Sequence, residues 1–160
     1  MALIIEDGSI VTGANSYIST TNFTAYATAR GLTITGDEEQ LLIQAMDYIE
    51  SQSYKGIKST RDQALQWPRV GVYVDGYYLD SDTIPQQLIN GQCEVALSID
   101  AGTGPLADVS RQTKREKVDV LEVEYSDSSA PYVINRKIRN ALWKLLIGGN
   151  SGNVVVVGKG

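Results

Sequence analysis

Fourteen cationic side chains, nineteen carboxylates, a single thiol and no imidazole are the chemical inventory of this 160-residue chain. Without histidine it lacks the commonest general base, the usual activator of Ser and Cys nucleophiles, and the commonest metal ligand. The lone Cys93 rules out an internal disulfide framework, and with no histidine beside it a zinc site is not expected. A solitary thiol more often fills core space than attacks a substrate.

Three groups of residues invite a chemical reading and fail it on spacing. Gly158-Lys159 resembles the end of a phosphate-binding loop. The first glycine of that motif would fall at Asn153, however, and Gly160 stands where a Ser or Thr must meet magnesium. Asp75, Asp80 and Asp82 match no calcium-loop spacing and read as turn and capping carboxylates. Glu116, Glu122 and Glu124 are simplest as the charged solvent face of a strand, rather than the carboxylate pair of a glycosidase. The expectation is therefore no catalytic residue, no cofactor and no metal.

Two groups suit binding. Arg136, Lys137, Arg139 and Lys144 form a basic helix face that fits phosphates or an acidic partner, or is simply solvated. Trp67-Pro68-Arg69 and the tyrosines Tyr73, Tyr77 and Tyr78 could stack on bases, or Trp67 could anchor a long loop with Arg69 pairing locally. The sequence leans towards the anchor. A formal charge of −5 argues against a protein that coats nucleic acid.

The elements that must position these residues are mainly helical. At 42% apolar and 21% charged the composition is that of a globular domain. No apolar run approaches the ~18 residues of a membrane helix, so no membrane partner and a cytosolic origin are expected. Ser19 reads as the N-cap of a first helix running to about Arg30, closed by Gly31, with Ile18 and Phe23 as a hydrophobic staple. Thr35 and Glu38 make a capping-box pattern for a second helix over 36–53, whose Leu41, Leu42, Ala45, Met46 and Ile49 face the core. Pro85 starts a third over 84–101, with Leu88, Val95, Ala96 and Ile99 buried. A fourth over 133–147 buries Ile134, Ile138, Leu142, Leu145 and Leu146.

Between the second and third helices, residues 66–85 form a loop with a hairpin at Asp75-Gly76, the pair favoured in a type I′ turn. That register puts Val74 opposite Tyr77 and Val72 opposite Leu79, leaving Tyr73 and Tyr78 on the other face. Residues 112–126 read as a strand or hairpin arm whose apolar phase changes near Val120-Leu121, which suggests a bulge or a change of partner. Its Val118 and Val120, if exposed, need cover from a neighbour. Residues 149–160 begin as a flexible Gly/Asn/Ser linker and end in Val154, Val155, Val156 and Val157, a strand-forming arm. The alternative to insertion into a partner is pairing with the chain's own 1–6 segment. The fold class is thus a small bundle of about four helices over 1–148 with a hairpin and a β-arm, followed by the arm 149–160.

Gly56, Gln63, Trp67-Pro68-Arg69, Asp75-Gly76, Ile84-Pro85 and Glu124-Tyr125-Ser126, in that order, resemble a phage family labelled DnaT-like single-stranded-DNA-binding protein, which overlaps with the head–tail connector (adaptor) proteins of tailed phages. The likeness spans about residues 8–147. The connector side of the resemblance implies a virion protein at the head–tail junction, made in the host cytoplasm. It implies a homo-oligomeric ring of about twelve copies under the portal protein, with a tail or stopper protein below and duplex DNA passing without sequence-specific contact. Tyr73, Tyr77, Tyr78, Val118 and Val120 would then meet neighbouring copies or the tail, and Val154 to Val157 the portal. The other side of the resemblance implies a replication protein that binds single strands. The acidic balance favours the connector, since cationic walls would hold sliding phosphates.

Overall fold

The structure, a computed structural model, describes residues 2–106, 115–118, 121–124 and 136–148. Helices α1 (Thr20–Thr28), α2 (Glu38–Glu50), α3 (Gln86–Asp100) and α4 (Arg136–Leu142) carry the fold, with α3 packed on the other three. Three two-stranded antiparallel pairs accompany them: β1 (Ile57–Lys58) with β2 (Arg69–Val70), β3 (Tyr73–Val74) with β4 (Tyr77–Tyr78), and β5 (Arg115–Val118) with β6 (Leu121–Glu124). The domain is helix-dominated, as the apolar periodicity requires.

Each predicted helix forms, and the stripes are largely those read from spacing, except that Ile99 and Leu146, expected to be buried, are only partly so. Leu41, Leu42, Ala45, Met46 and Ile49 of α2 meet Leu88, Val95 and Ala96 of α3 and Ile138, Leu142 and Leu145 around α4 in one buried cluster. Ile18 and Phe23 are both buried in it on either side of Ser19, whose hydroxyl caps α1 by accepting the Asn22 amide. Cys93 is buried in the same cluster, and desolvation pushes its thiol up to about 12, so it is protonated filler. One buried polar residue holds the centre. Gln92 of α3 donates to Ser16 Oγ and the Leu42 carbonyl and accepts the Tyr17 amide, joining the N-terminal lead-in to two helices.

Four boundaries differ from expectation. The cap of α2 is Asp37, which accepts the Gln40 amide, while Thr35 turns away to Asp100 at the end of α3. The Asp100 carboxylate takes the Thr35 amide, the Thr35 hydroxyl and the Gly36 amide, and these hydrogen bonds hold it below its usual range. Pro85 is the N-cap of α3 rather than its first helical residue; a proline there gives extended backbone and an acceptor carbonyl, but no side-chain cap. Helix α4 ends at Leu142 because the chain beyond it is drawn alongside 53–55, with Tyr54 bridging Leu146 and the Lys55 amide donating to the Leu145 carbonyl.

The fourth difference concerns the 112–126 arm. It takes the hairpin form of the two expected, an antiparallel pair with Val118 opposite Leu121, and the apolar phase changes because the two strands pair with each other, not because one strand bulges or switches partner. Val120, Ile134 and Val154 to Val157 lie outside the described residues.

Candidate functional site

The tryptophan motif is an anchor. Trp67 is wholly buried, edge-on to Tyr54 with ring centroids 5.8 Å apart, and the Trp67–Pro68 peptide is cis. It is therefore not available to stack on a ligand. Its amide donates to the Tyr17 hydroxyl (3.1 Å), which itself donates to Glu50 Oε1 (2.7 Å), and Glu50 Oε2 accepts the Gln66 amide (2.8 Å). Burial is the main cause of the raised pKa of both Tyr17 and Glu50. Gln63 locks the same turn, donating to the Leu65 and Pro68 carbonyls and accepting the Thr60 amide.

Among the described residues, Arg69 completes the lock without a hydrogen bond or ion pair to a carboxylate. Its Nε donates to the Lys55 carbonyl, one terminal nitrogen to the Gln66 carbonyl and side chain, and the other to the Tyr54 and Gly56 carbonyls. A planar fork with five donors can satisfy so many carbonyls at once; an ammonium cannot. Gly56 is required beside it, at φ +70°, because a Cβ there would stand 2.2 Å from the Val70 carbonyl oxygen. Thus Gly56, Gln63, Trp67, Pro68 and Arg69 are one structural device that fixes where the hairpin leaves the domain.

The hairpin it presents has the predicted register, Tyr73 opposite Tyr78 and Val74 opposite Tyr77, with the Leu79 amide on the Val72 carbonyl. Asp75 and Gly76 both take positive φ (53° and 87°), as a type I′ turn demands. Val72 is buried and Val74 and Leu79 are partly buried, while Tyr73, Tyr77 and Tyr78 are exposed, Tyr77 to 80%. The apolar side faces the domain and the tyrosines face out. Tyr73 and Tyr78 hold each other edge-on at 5.4 Å.

The turn is tied to the end of α4, where Lys144 Nζ lies 2.6 Å from Asp75 Oδ2. That contact draws in a residue the sequence reading did not single out. Trp143, 37% exposed, follows α4 and keeps its helical hydrogen bond to the Arg139 carbonyl, with the Lys144 ammonium 5.6 Å from its ring centroid. Arg136, Arg139 and Trp143 are spaced i, i+3, i+7, so they share one helix face about 10 Å long, and all three are exposed. The signal was present in "RKIRNALW" as a basic stripe ending in an aromatic. At the far end of α4, Arg136 and Lys137 border a cleft of about 400 Å³ walled by Leu32, Leu97 and Ala101.

Of the other predicted contact residues, Val118 is placed by its backbone only, in β5, and Val120 and the four-valine arm lie outside the described residues. Over residues 1–159 the sequence matches the family described as "Putative DnaT-like ssDNA binding protein". Neither a curated protein nor a solved structure matches the chain.

Proposed function

The chain belongs to this DnaT-like ssDNA-binding family, and on that premise we propose that it binds single-stranded DNA along the exposed face of α4, by contact and not by catalysis. The observation that carries the reading is the stripe Arg136–Arg139–Trp143 with Lys144 at its end. Cations in line along a helix suit successive phosphates, and an exposed indole among them gives a base a stacking surface indifferent to its identity. The tyrosine hairpin is a poorer platform, because the exposed Asp80 and Asp82 stand at its base and repel phosphates. Trp67 is excluded by its burial.

With three or four cations in the contact and a net charge of −5 overall, binding is modest and salt-sensitive. For single strands the log–log slope of affinity against salt should be about −2 to −3. The test is fluorescence anisotropy of a labelled oligonucleotide across a salt series. Trp143→Ala should weaken binding by about 1–3 kcal/mol with the slope unchanged, and Arg139→Ala should flatten the slope by about 0.7. A protein that binds no oligonucleotide at low salt, or one indifferent to both substitutions, overturns the reading.

The second reading is the head–tail connector, a ring under the portal with a tail or stopper protein below. What favours it is the hairpin: three exposed tyrosines on a turn tied to α4 and based on a hydrogen-bonded loop, amid carboxylates. Tyrosine at such a site suits a protein partner, with an apolar ring body and a polar tip. In this reading Tyr73, Tyr77, Tyr78 and the 112–126 arm meet neighbouring copies, and Val154 to Val157 add a strand to the portal. Purified virions labelled for the protein at the head–tail junction support it; their absence there removes it.

A further inference from the structure

We infer that the cleft at the start of α4 is a subsite for one unstacked nucleobase of the bound strand, and that it prefers bases carrying an exocyclic amine over thymine. The inference rests on the single-strand reading above. The volume of about 400 Å³ lies in the range of small-ligand pockets, ~300–1,000 Å³, and apolar Leu32 and Leu97 give a planar ring its walls.

The charges around the cleft specify the occupant. Four ionisable side chains line it: Glu94, Asp100, Arg136 and Lys137. Asp100 is occupied on both oxygens by Thr35 and Gly36. Glu94 Oε1 accepts the Tyr26 hydroxyl at 2.8 Å and has Arg30 Nε at 3.8 Å, which leaves Oε2 as an acceptor. Arg136 is exposed and has no acidic partner among the described residues. The cleft thus offers one open carboxylate oxygen and, at its α4 border, one open cation. A nucleotide bearing an amine supplies the complement of each, an N–H donor and a phosphate.

Arg136 is also the first member of the Arg136–Arg139–Trp143 stripe. A strand laid along α4 therefore reaches the cleft without leaving its phosphate contacts. Cytosine, adenine and guanine each bring an amine to Glu94, whereas thymine brings only carbonyl acceptors and an imide proton, and its O4 repels the carboxylate. Sequence-tolerant stacking at Trp143 and base selection at the cleft are then separate functions at the two ends of one short helix.

Labelled oligo-dC and oligo-dT, titrated at one low salt concentration, separate these functions. Oligo-dC should bind roughly tenfold tighter than oligo-dT. Ala101→Phe fills the cleft from an exposed position and should bring oligo-dC down to the oligo-dT level. Glu94→Gln should abolish the preference, and Trp143→Ala should weaken both oligomers equally. Circular dichroism confirms that each variant is folded. If the wild-type chain binds both oligomers equally, or folded Ala101→Phe keeps the preference, the subsite is wrong while the α4 surface stands. If it binds neither, both readings fall.

Discussion

Tyr17 donates its phenolic proton to Glu50 at 2.7 Å, and the same oxygen accepts the Trp67 amide at 3.1 Å. With the Gln66 amide on the other Glu50 oxygen, two consecutive loop amides hang from one phenol–carboxylate pair rooted in α2. Tyr17→Phe keeps the ring and removes the link. The Trp67 amide is then buried without an acceptor and Glu50 loses a donor, which should cost about 1–3 kcal/mol. Urea unfolding should show a lower midpoint at unchanged slope. An unchanged midpoint would mean that the pair contributes nothing to holding the loop.

The same burial predicts alkaline behaviour. Tyr17, Tyr54 and Tyr26 all have raised pKa values, desolvation first, with Glu50 adding to the first two and Glu94 to the third. In the unfolded chain these phenols ionise near pH ~10. Above that pH the unfolded state binds fewer protons than the folded one, so stability falls as pH rises. Their contribution is complete below about pH 10 and is lost above it. Phenolate absorbance and circular dichroism followed together check this: ionisation of three of the nine tyrosines should coincide with loss of helix. Their ionisation in a chain that stays folded would contradict the prediction.

Much of this architecture was legible because local rules and global packing agree. The Asp75-Gly76 turn fixed the hairpin register, and 3.6-residue periodicity identified the buried faces of the second, third and fourth helices. What escaped was set by tertiary partners. Thr35 looks like a cap until Asp100, remote in sequence, claims its hydroxyl and amide. Neither Glu50, which accepts the Gln66 amide, nor Tyr17, whose hydroxyl accepts the Trp67 amide, carries a sequence signal for that role, because the loop they hold lies 16 and 50 residues further along the chain. Trp143 was legible from one side only: it ends the basic stripe of Arg136 and Arg139, yet next to Leu142, Leu145 and Leu146 it also reads as part of an apolar helix end. Only the packing of those leucines shows that the indole faces out. The Trp67 anchor was legible in kind, whereas the five-donor role of Arg69 was not.

Arg69→Lys tests that role. The guanidinium reaches four backbone carbonyls and the Gln66 side chain, and burial lowers its pKa without displacing its charge at neutral pH. An ammonium keeps the charge but serves at most three acceptors from a single point. The remaining carbonyls lose their donors, and a loss of about 2–3 kcal/mol is expected. Because the motif is structural, oligonucleotide affinity measured well below the melting temperature should be nearly unchanged. A large affinity loss in a fully folded Arg69→Lys protein would instead put Arg69 in the binding surface.

The hairpin separates the two functional readings. Tyr77 is 80% exposed, and no hydrogen bond within the chain depends on its side chain among the described residues. Tyr77→Ala should therefore change stability by no more than about 0.5 kcal/mol. If nucleic acid runs along α4, the substitution should leave oligonucleotide affinity unchanged, since Arg136, Arg139 and Trp143 are untouched. If the hairpin meets protein, an exposed aromatic at the centre of such a contact is where binding energy concentrates, and its loss should cost about 2 kcal/mol or more. Native mass spectrometry of the protein with portal, before and after substitution, reads the second effect, and anisotropy reads the first. Retained oligonucleotide binding with lost association would give the α4 face to DNA and the tyrosines to a protein partner. The reverse pattern, in which Tyr77→Ala abolishes oligonucleotide binding and leaves association intact, would move the DNA surface from α4 to the hairpin.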